Sequence, residues 1–254
     1  MIQTVPLPSR NLRELAILLD VDGTILDIAP MPAAVSVPAS LRRTLARLLW
    51  ATGGALALVS GRSLGDLDAL FAPLRLPAIG GHGAELRASA DGEPEIERAQ
   101  PLDGGIKDRL AGIANRAPGV LVEDKGYAVA VHYRLAPAHE HTVKQEVAAL
   151  QADWPQEAIE VLPGKKVVEV KPAGFDKGAA IRALMRHQPF AGRRPVFIGD
   201  DTTDLPAFAA LPEFGGIGFS VGREAPGTAY CFARPSDVRR WLNRLSVGEG
   251  TRAS

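Results

Sequence analysis

An α/β fold, with a Rossmann-like doubly wound parallel-sheet core and an inserted α+β cap subdomain, is what three features of this 254-residue sequence predict. Short apolar runs bounded by Gly, Asp or Ser recur at Ala16–Leu19, Ala55–Val59, Val167–Val170 and Pro195–Ile198, and each leads into a polar loop and then a helical pattern. Such runs read as buried parallel strands with crossover helices between them. Leu41, Leu45, Leu48 and Leu49 share one helical face, as do Ile181, Leu184 and Met185, and Val238, Trp241, Leu242 and Leu245 make a last helix of the same spacing. Between about Ala88 and Gly164 the order changes. A helix on Ile106, Leu110 and Ile113 is followed by an alternating strand on Tyr127, Val129, Val131 and Tyr133. A second helix on Val143, Val147, Leu150 and Trp154 then leads to a short strand at Ile159–Leu162. The expected division is therefore a core of residues 1–87 and 165–254 and a subdomain of 88–164, hinged at the turn-rich stretch Ala88–Gln100 and at Pro163–Gly164–Lys165.

Composition narrows the function. Lys and Arg number 29 against 29 Asp and Glu, so no whole-molecule field draws the protein to nucleic acid or anionic lipid, and an anionic ligand must be held by local groups. Cys231 is the single cysteine, which excludes an internal disulfide and a thiolate metal cluster and fits a reducing compartment, the cytoplasm. The run Leu15–Leu19 is too short for a signal core or a membrane span, and the tail from Gly248 to Ser254 is expected to fray. Aromatic residues make up 6%, which offers no stacking platform for nucleic acid. The expected partner is a small molecule, and the expected state a monomer or weak homodimer.

The chemistry concentrates at strand ends. Leu18–Leu19 runs into Asp20-Val21-Asp22-Gly23-Thr24, which sets two carboxylates at the carboxyl edge of a parallel sheet, where open α/β folds bind their ligands. Carboxylates that close repel one another. A divalent cation, naturally magnesium, a shifted pKa, or both resolve this, unless the segment is only a solvated acidic turn. A second acidic cluster, Asp200-Asp201-Thr202-Thr203-Asp204, follows the strand Val196–Ile198, so Asp200 and Asp204 can complete an oxygen shell on the same edge, with one of the tandem aspartates capping the next helix. Ser60-Gly61-Arg62 adds a hydroxyl, approachable backbone N–H groups and a guanidinium, a set that suits phosphate, although Ser60 alone also reads as a helix cap. Lys177 opens a helix, where an ammonium is misplaced unless an anion lies between it and the helix dipole.

In this order, Asp20-x-Asp22-Gly23-Thr24, Ser60, Lys177 and Gly199-Asp200-Asp201 resemble the motifs of the haloacid dehalogenase-like phosphatase superfamily. More closely, Val59-Ser60-Gly61-Arg62, Gly81-His82-Gly83-Ala84-Glu85, Lys125-Gly126, His132-Tyr133-Arg134 and Val168-Glu169-Val170-Lys171-Pro172 resemble the bacterial trehalose-6-phosphate phosphatases, a likeness that runs from about Ala16 to Leu245. The resemblance implies that Asp20 attacks phosphorus to form an aspartyl phosphate, with Asp22 as proton donor and then base. It also implies that Asp20, the Asp22 carbonyl and Asp200 hold magnesium, that Ser60 and Lys177 steady the phosphoryl oxygens, and that Asp204 holds a metal-bound water or Lys177. Glu123, Lys125 and His132 in the subdomain, with His82, Gly83, Glu85 and Glu169, are the implied sugar-facing residues, beside Gly61 and Arg62 at the phosphate. Read alone, Glu123, Lys125 and Glu169 are surface ion pairs and His132 a satisfied residue of a strand face. Related capped phosphatases of sucrose phosphate or a mannosyl phosphate, and a sugar-phosphate-binding regulator without turnover, are the competing readings. One departure stands out: Leu205 occupies the place where the family usually has Glu.

Overall fold

The computed structural model describes residues 5–28, 35–93, 102–164 and 166–248. It divides the chain into two units, Met1–Glu97 with Asp176–Ser254, and Arg98–Phe175. The first unit holds a sheet of seven strands in the order β11-β10-β9-β1-β2-β3-β4. In chain order these are β1 (Leu15–Leu19), β2 (Leu56–Val59), β3 (Ala78–Gly80), β4 (Glu85–Arg87), β9 (Arg194–Gly199), β10 (Ile217–Val221) and β11 (Thr228–Phe232). All neighbours are parallel except β3 and β4. Chain order runs outward from β1 through β2 and β3 and restarts at β9 on the other side of β1, so the gap between β1 and β9 is a topological switch point.

Successive residues of a strand face opposite ways, and here both faces are covered. Leu15, Ile17 and Leu19 pack with Val196 and Ile198 against helices α1 (Ala39–Ala51), α2 (Leu64–Phe71) and α7 (Pro235–Ser246). Ala16, Leu18 and Phe197 face the other way, onto α5 (Lys177–Leu184) and α6 (Leu205–Ala210). This two-sided burial is why these strands read as unbroken apolar runs.

The second unit is a four-stranded antiparallel sheet in the order β5-β6-β8-β7, formed by β5 (Leu121–Asp124), β6 (Val129–His132), β7 (Ile159–Gly164) and β8 (Val167–Pro172). Its apolar face, with Val129, Val131, Val168 and Val170, is buried with residues of α3 (Gly104–Arg116) and α4 (Glu140–Asp153). Here the structure corrects the sequence reading. Val167–Val170 is a central strand of this antiparallel sheet, not a parallel core strand, and the unit extends to Phe175. Pro163 and Gly164 pair with Val168 and Val167 in the β7–β8 hairpin, so the expected hinge there is a hairpin instead. Glu169 and Lys171 within that run alternate with Val168 and Val170, so one face of the strand is polar and the other apolar, and both are buried there. The other expected hinge lies outside the described residues from position 94 to 100, as do Lys165 and the tail beyond Gly248. No helix among the described residues is long and apolar enough to cross a membrane.

One buried ion pair ties α2 to the edge strand β4. Arg87 is 1% exposed and donates to Asp68 Oδ1 at 2.6 Å, to Asp68 Oδ2 at 2.7 Å and to the Leu76 carbonyl. The Arg87 hydrogen bonds hold Asp68 below the usual carboxylate range. Asp68→Ala leaves a buried guanidinium without its counter-charge and should cost about 3 kcal/mol in urea unfolding at pH 7, the low end for a broken buried pair because part of Asp68 stays in water. A depressed folded pKa contributes stability above the unfolded value of about 4 that is lost as pH falls through the folded one, so the gap between the two proteins should close in acid.

Candidate active site

The carboxyl ends of β1, β9, β2 and β3 share one edge of the sheet, and each releases a polar segment there. Asp20 follows β1, its backbone N–H donating to the Ile198 carbonyl at 2.9 Å, and is 5% exposed. Asp200 and Asp204 follow β9. Asp201 between them is the cap of the short turn that begins at Thr202, accepting from the Thr202 N–H at 2.7 Å, as one tandem aspartate was expected to be. Lys177, the first residue of α5, is 3% exposed and donates from Nζ to Asp20 Oδ1 at 2.8 Å and Asp204 Oδ1 at 2.6 Å. The anion expected beside this helix-opening lysine is thus a pair of the protein's own carboxylates. The other oxygen of Asp204 accepts the backbone N–H groups of Asp200 and Asp201 at 2.9 and 3.0 Å, so one side chain fixes both the lysine and the loop.

Charge is unbalanced in this cluster. Asp20, Asp200 and Asp204 each bring a carboxylate oxygen within 4.8 Å of the others, all buried, around one ammonium. Burial chiefly, and then the charges of Asp204 and Asp200, hold Asp20 well above the usual carboxylate range against the opposing pull of Lys177. Burial works to lower Lys177, but Asp20 and Asp204 together outweigh it and keep the ammonium charged. Three hard oxygen donors with a net negative charge fit a divalent cation of the magnesium or calcium kind. Gly23 shows how close the motifs lie. It has φ +86°, and a Cβ there would stand 2.3 Å from Asp200 Oδ2. Thr24, which the sequence reading left without a role, is fully buried with its hydroxyl 3.4 Å from Asp200 Oδ1.

The loop after β2 is knitted to the loop after β3. Ser60 is 2% exposed; its Oγ accepts the Arg62 N–H at 3.2 Å and its carbonyl accepts the His82 N–H at 3.0 Å, while the Arg62 carbonyl accepts from Gly81 at 2.9 Å. The cap of α2 is Ser63, not Ser60, which leaves the Ser60 hydroxyl at the sheet edge. His82 sits in the left-handed region at φ 55°, its ring so close over Gly61 that a Cβ on Gly61 would lie 2.2 Å from Nε2. Gly83 lies against the Asp176 carbonyl, where a Cβ would be 2.5 Å away.

Three side chains stand differently from expectation. Asp22 points to Arg62, which grips it as a fork: Nε to Oδ2 at 2.6 Å and Nη2 to Oδ1 at 2.8 Å. Arg62 thus meets a carboxylate where phosphate was expected, and the Asp22 side chain is outside the Asp20, Asp200 and Asp204 cluster. Glu85 accepts the Leu64 N–H at 2.6 Å, so it serves the start of α2. In the second unit, Glu123, Lys125, His132 and Glu169 lie on the sheet face opposite its apolar core. Glu123 and Glu169 both pair in register with Ala130. Lys125 meets Glu169 at 2.9 Å, and His132 Nε2 meets Glu123 at 2.9 Å.

The profile of the trehalose-phosphatase family matches residues 18–228. The chain belongs to that family. It is 40% identical over 228 residues to the trehalose-6-phosphate phosphatase of Escherichia coli K12, covering 90% of this chain and 85% of that protein. It is 43% identical over 230 residues to a probable trehalose-phosphate phosphatase of Sinorhizobium fredii, with the same coverage. Among solved structures, the C-terminal domain of C. albicans trehalose-6-phosphate phosphatase superposes with a TM-score of 0.81 at 22% identity, over 92% of each chain, and so shares the fold. A family member with this relationship is a phosphatase, a phosphoric monoester hydrolase.

Gly61→Ala tests the knitted loops. The added methyl must displace the His82 ring or the loop, and a shift of that size should lower kcat/KM about 10²-fold while costing about 1–3 kcal/mol in urea unfolding. Wild-type turnover from this variant would show that the close approach carries no catalytic geometry.

Proposed function

We propose that the protein hydrolyses trehalose 6-phosphate to trehalose and phosphate, the closing step of trehalose synthesis, with magnesium and through an aspartyl phosphate on Asp20. The observation that carries the proposal is the buried Asp20–Lys177–Asp204 chain beside Asp200, in a member of the trehalose-phosphatase family. Lys177 occupies Asp20 Oδ1 and so orients the carboxylate for attack through its other oxygen. As the bond from Asp20 to phosphorus forms, the bond from phosphorus to the sugar oxygen breaks, and Asp22 gives that oxygen its proton. In the second displacement Asp22 takes a proton from the attacking water, and the Asp20 carboxylate leaves. The Ser60 hydroxyl and Lys177 steady the phosphoryl oxygens.

Asp20, Asp200 and the backbone carbonyl of Asp22 would hold the magnesium, while Asp204 serves through Lys177 and the Asp200 backbone. When bound, the cation neutralises the repulsion between an anionic nucleophile and an anionic substrate. Glu123, Lys125, His132 and Glu169 give the second unit a polar face suited to sugar hydroxyls, while in the first unit Glu85 supports the start of α2 and the loop of His82 and Gly83 lies against that of Ser60.

Phosphate release from trehalose 6-phosphate, sucrose 6-phosphate, glucose 6-phosphate and mannosyl-3-phosphoglycerate, each with magnesium and with excess chelator, tests the proposal. Strong release from trehalose 6-phosphate alone, abolished by chelator and by Asp20→Asn, is the expected result. Preference for another member would overturn the sugar assignment, and no release from any would favour a regulator without turnover. Leu205 is 37% exposed at the first residue of α6. Leu205→Glu should shift the magnesium concentration for half-maximal rate only about two- to fivefold, in line with a single exposed charge near the site; a large gain in kcat would show the position to be rate-limiting.

A further inference from the structure

We infer that Arg62 is a positioning residue of the reaction: its guanidinium sets the direction of the Asp22 carboxyl, and through it the transfer of a proton to the leaving sugar oxygen. The inference rests on the reading of Asp22 as proton donor. Its basis is geometric. The Nε and Nη2 edge of Arg62 takes both oxygens of Asp22, at 2.6 and 2.8 Å, with side chains 17% and 36% exposed. A carboxyl with a third of its surface in water samples several rotamers unless something holds it, and a planar fork holds both its position and its plane. Arg62 is itself rooted at both ends of its backbone unit, through Ser60 Oγ on its N–H and the Gly81 N–H on its carbonyl. The direction of Asp22 is thereby referred to the loops after β2 and β3 instead of its own short turn.

The same edge of the guanidinium cannot serve a phosphate while it serves Asp22. A proton on Asp22 needs only one of its oxygens, so the other stays on the guanidinium while the first faces the leaving oxygen. Arg62 is then needed in proportion to how much help the leaving group requires. A sugar alkoxide is a poor leaving group and depends on the proton, whereas p-nitrophenolate departs without one.

The test compares kcat/KM, which reports the phosphorylation of Asp20, for trehalose 6-phosphate and p-nitrophenyl phosphate in Arg62→Ala, Arg62→Lys, Asp22→Asn and the Arg62→Ala/Asp22→Asn pair. Loss of a positioned acid is worth about 10²- to 10⁴-fold. Arg62→Ala should therefore lose about 10²-fold on the sugar phosphate and less than about threefold on p-nitrophenyl phosphate. Arg62→Lys should recover part of the loss, and the double variant should lose no more on the sugar phosphate than Asp22→Asn alone. A retained burst of p-nitrophenolate, one equivalent per Asp20, also reports that the variants fold, since turnover beyond it needs Asp22 as base. Equal losses on both substrates in Arg62→Ala, with a raised KM, would make Arg62 a phosphate ligand and overturn the inference, as would multiplying losses in the double variant. Equal losses on both substrates in Asp22→Asn would instead overturn the reading of Asp22, whatever Arg62→Ala does.

Discussion

A buried ammonium between two carboxylates is the constraint on which the active-site edge depends. Lys177 stands at the first residue of a helix, where the dipole disfavours a cation, and is almost wholly removed from water, which costs several kcal/mol more. Only Asp20 and Asp204 together make that position tolerable. Because Asp204 also binds the backbone of Asp200 and Asp201, the same interaction sets where the loop after β9 runs. Asp20, the lysine and the second acidic loop are therefore one electrostatic unit, and its surplus of negative charge suits a divalent cation there.

Much of this was legible in the sequence because it follows from strand ends. An apolar run ending in Asp20 and another ending in Asp200 must bring those carboxylates to one edge if both strands are parallel in one sheet, and they are neighbours. Helices on spaced leucines were equally plain. Strands β3, β4, β5, β10 and β11 were not, since they are short or carry glycine and polar residues that break an apolar run, as in Ile217–Val221 and Leu121–Asp124. The assignment of Val167–Val170 to the core failed for a different reason. Four residues do not distinguish a parallel from an antiparallel neighbour, and the charged Glu169 in the middle was the sign that one face is polar.

Site residues divide along the same line. Position along a strand tells which edge a side chain occupies, and so Asp20, Asp200, Ser60 and Lys177 were within reach of sequence reasoning. It does not tell which of several charged neighbours a long side chain will choose. Arg62 was free on paper to meet a phosphate, and in the folded protein its guanidinium meets Asp22. Glu85 is the same kind of case. Its carboxylate finds the N–H of Leu64, which no motif spacing would reveal.

The second unit meets the opposite problem, that of keeping carboxylates apart and oriented on the polar face of a sheet. Glu123 and Glu169 lie on either side of Ala130, the central position of that row, and each meets a partner from a neighbouring position, Glu123 the His132 ring and Glu169 the Lys125 ammonium. A carboxylate offers more acceptor sites than one such partner uses, so pairing does not exhaust it. What the pairing removes is rotamer freedom, which would otherwise have to be lost when a hydroxyl-rich ligand binds. The worth of these pairs lies in geometry: Glu123, His132 and Glu169 come from three adjacent strands and Lys125 from the turn that follows β5, and each carboxylate is fixed by its partner. Ala130, fully buried, pairs with both glutamates and so fixes their separation at the width of three strands.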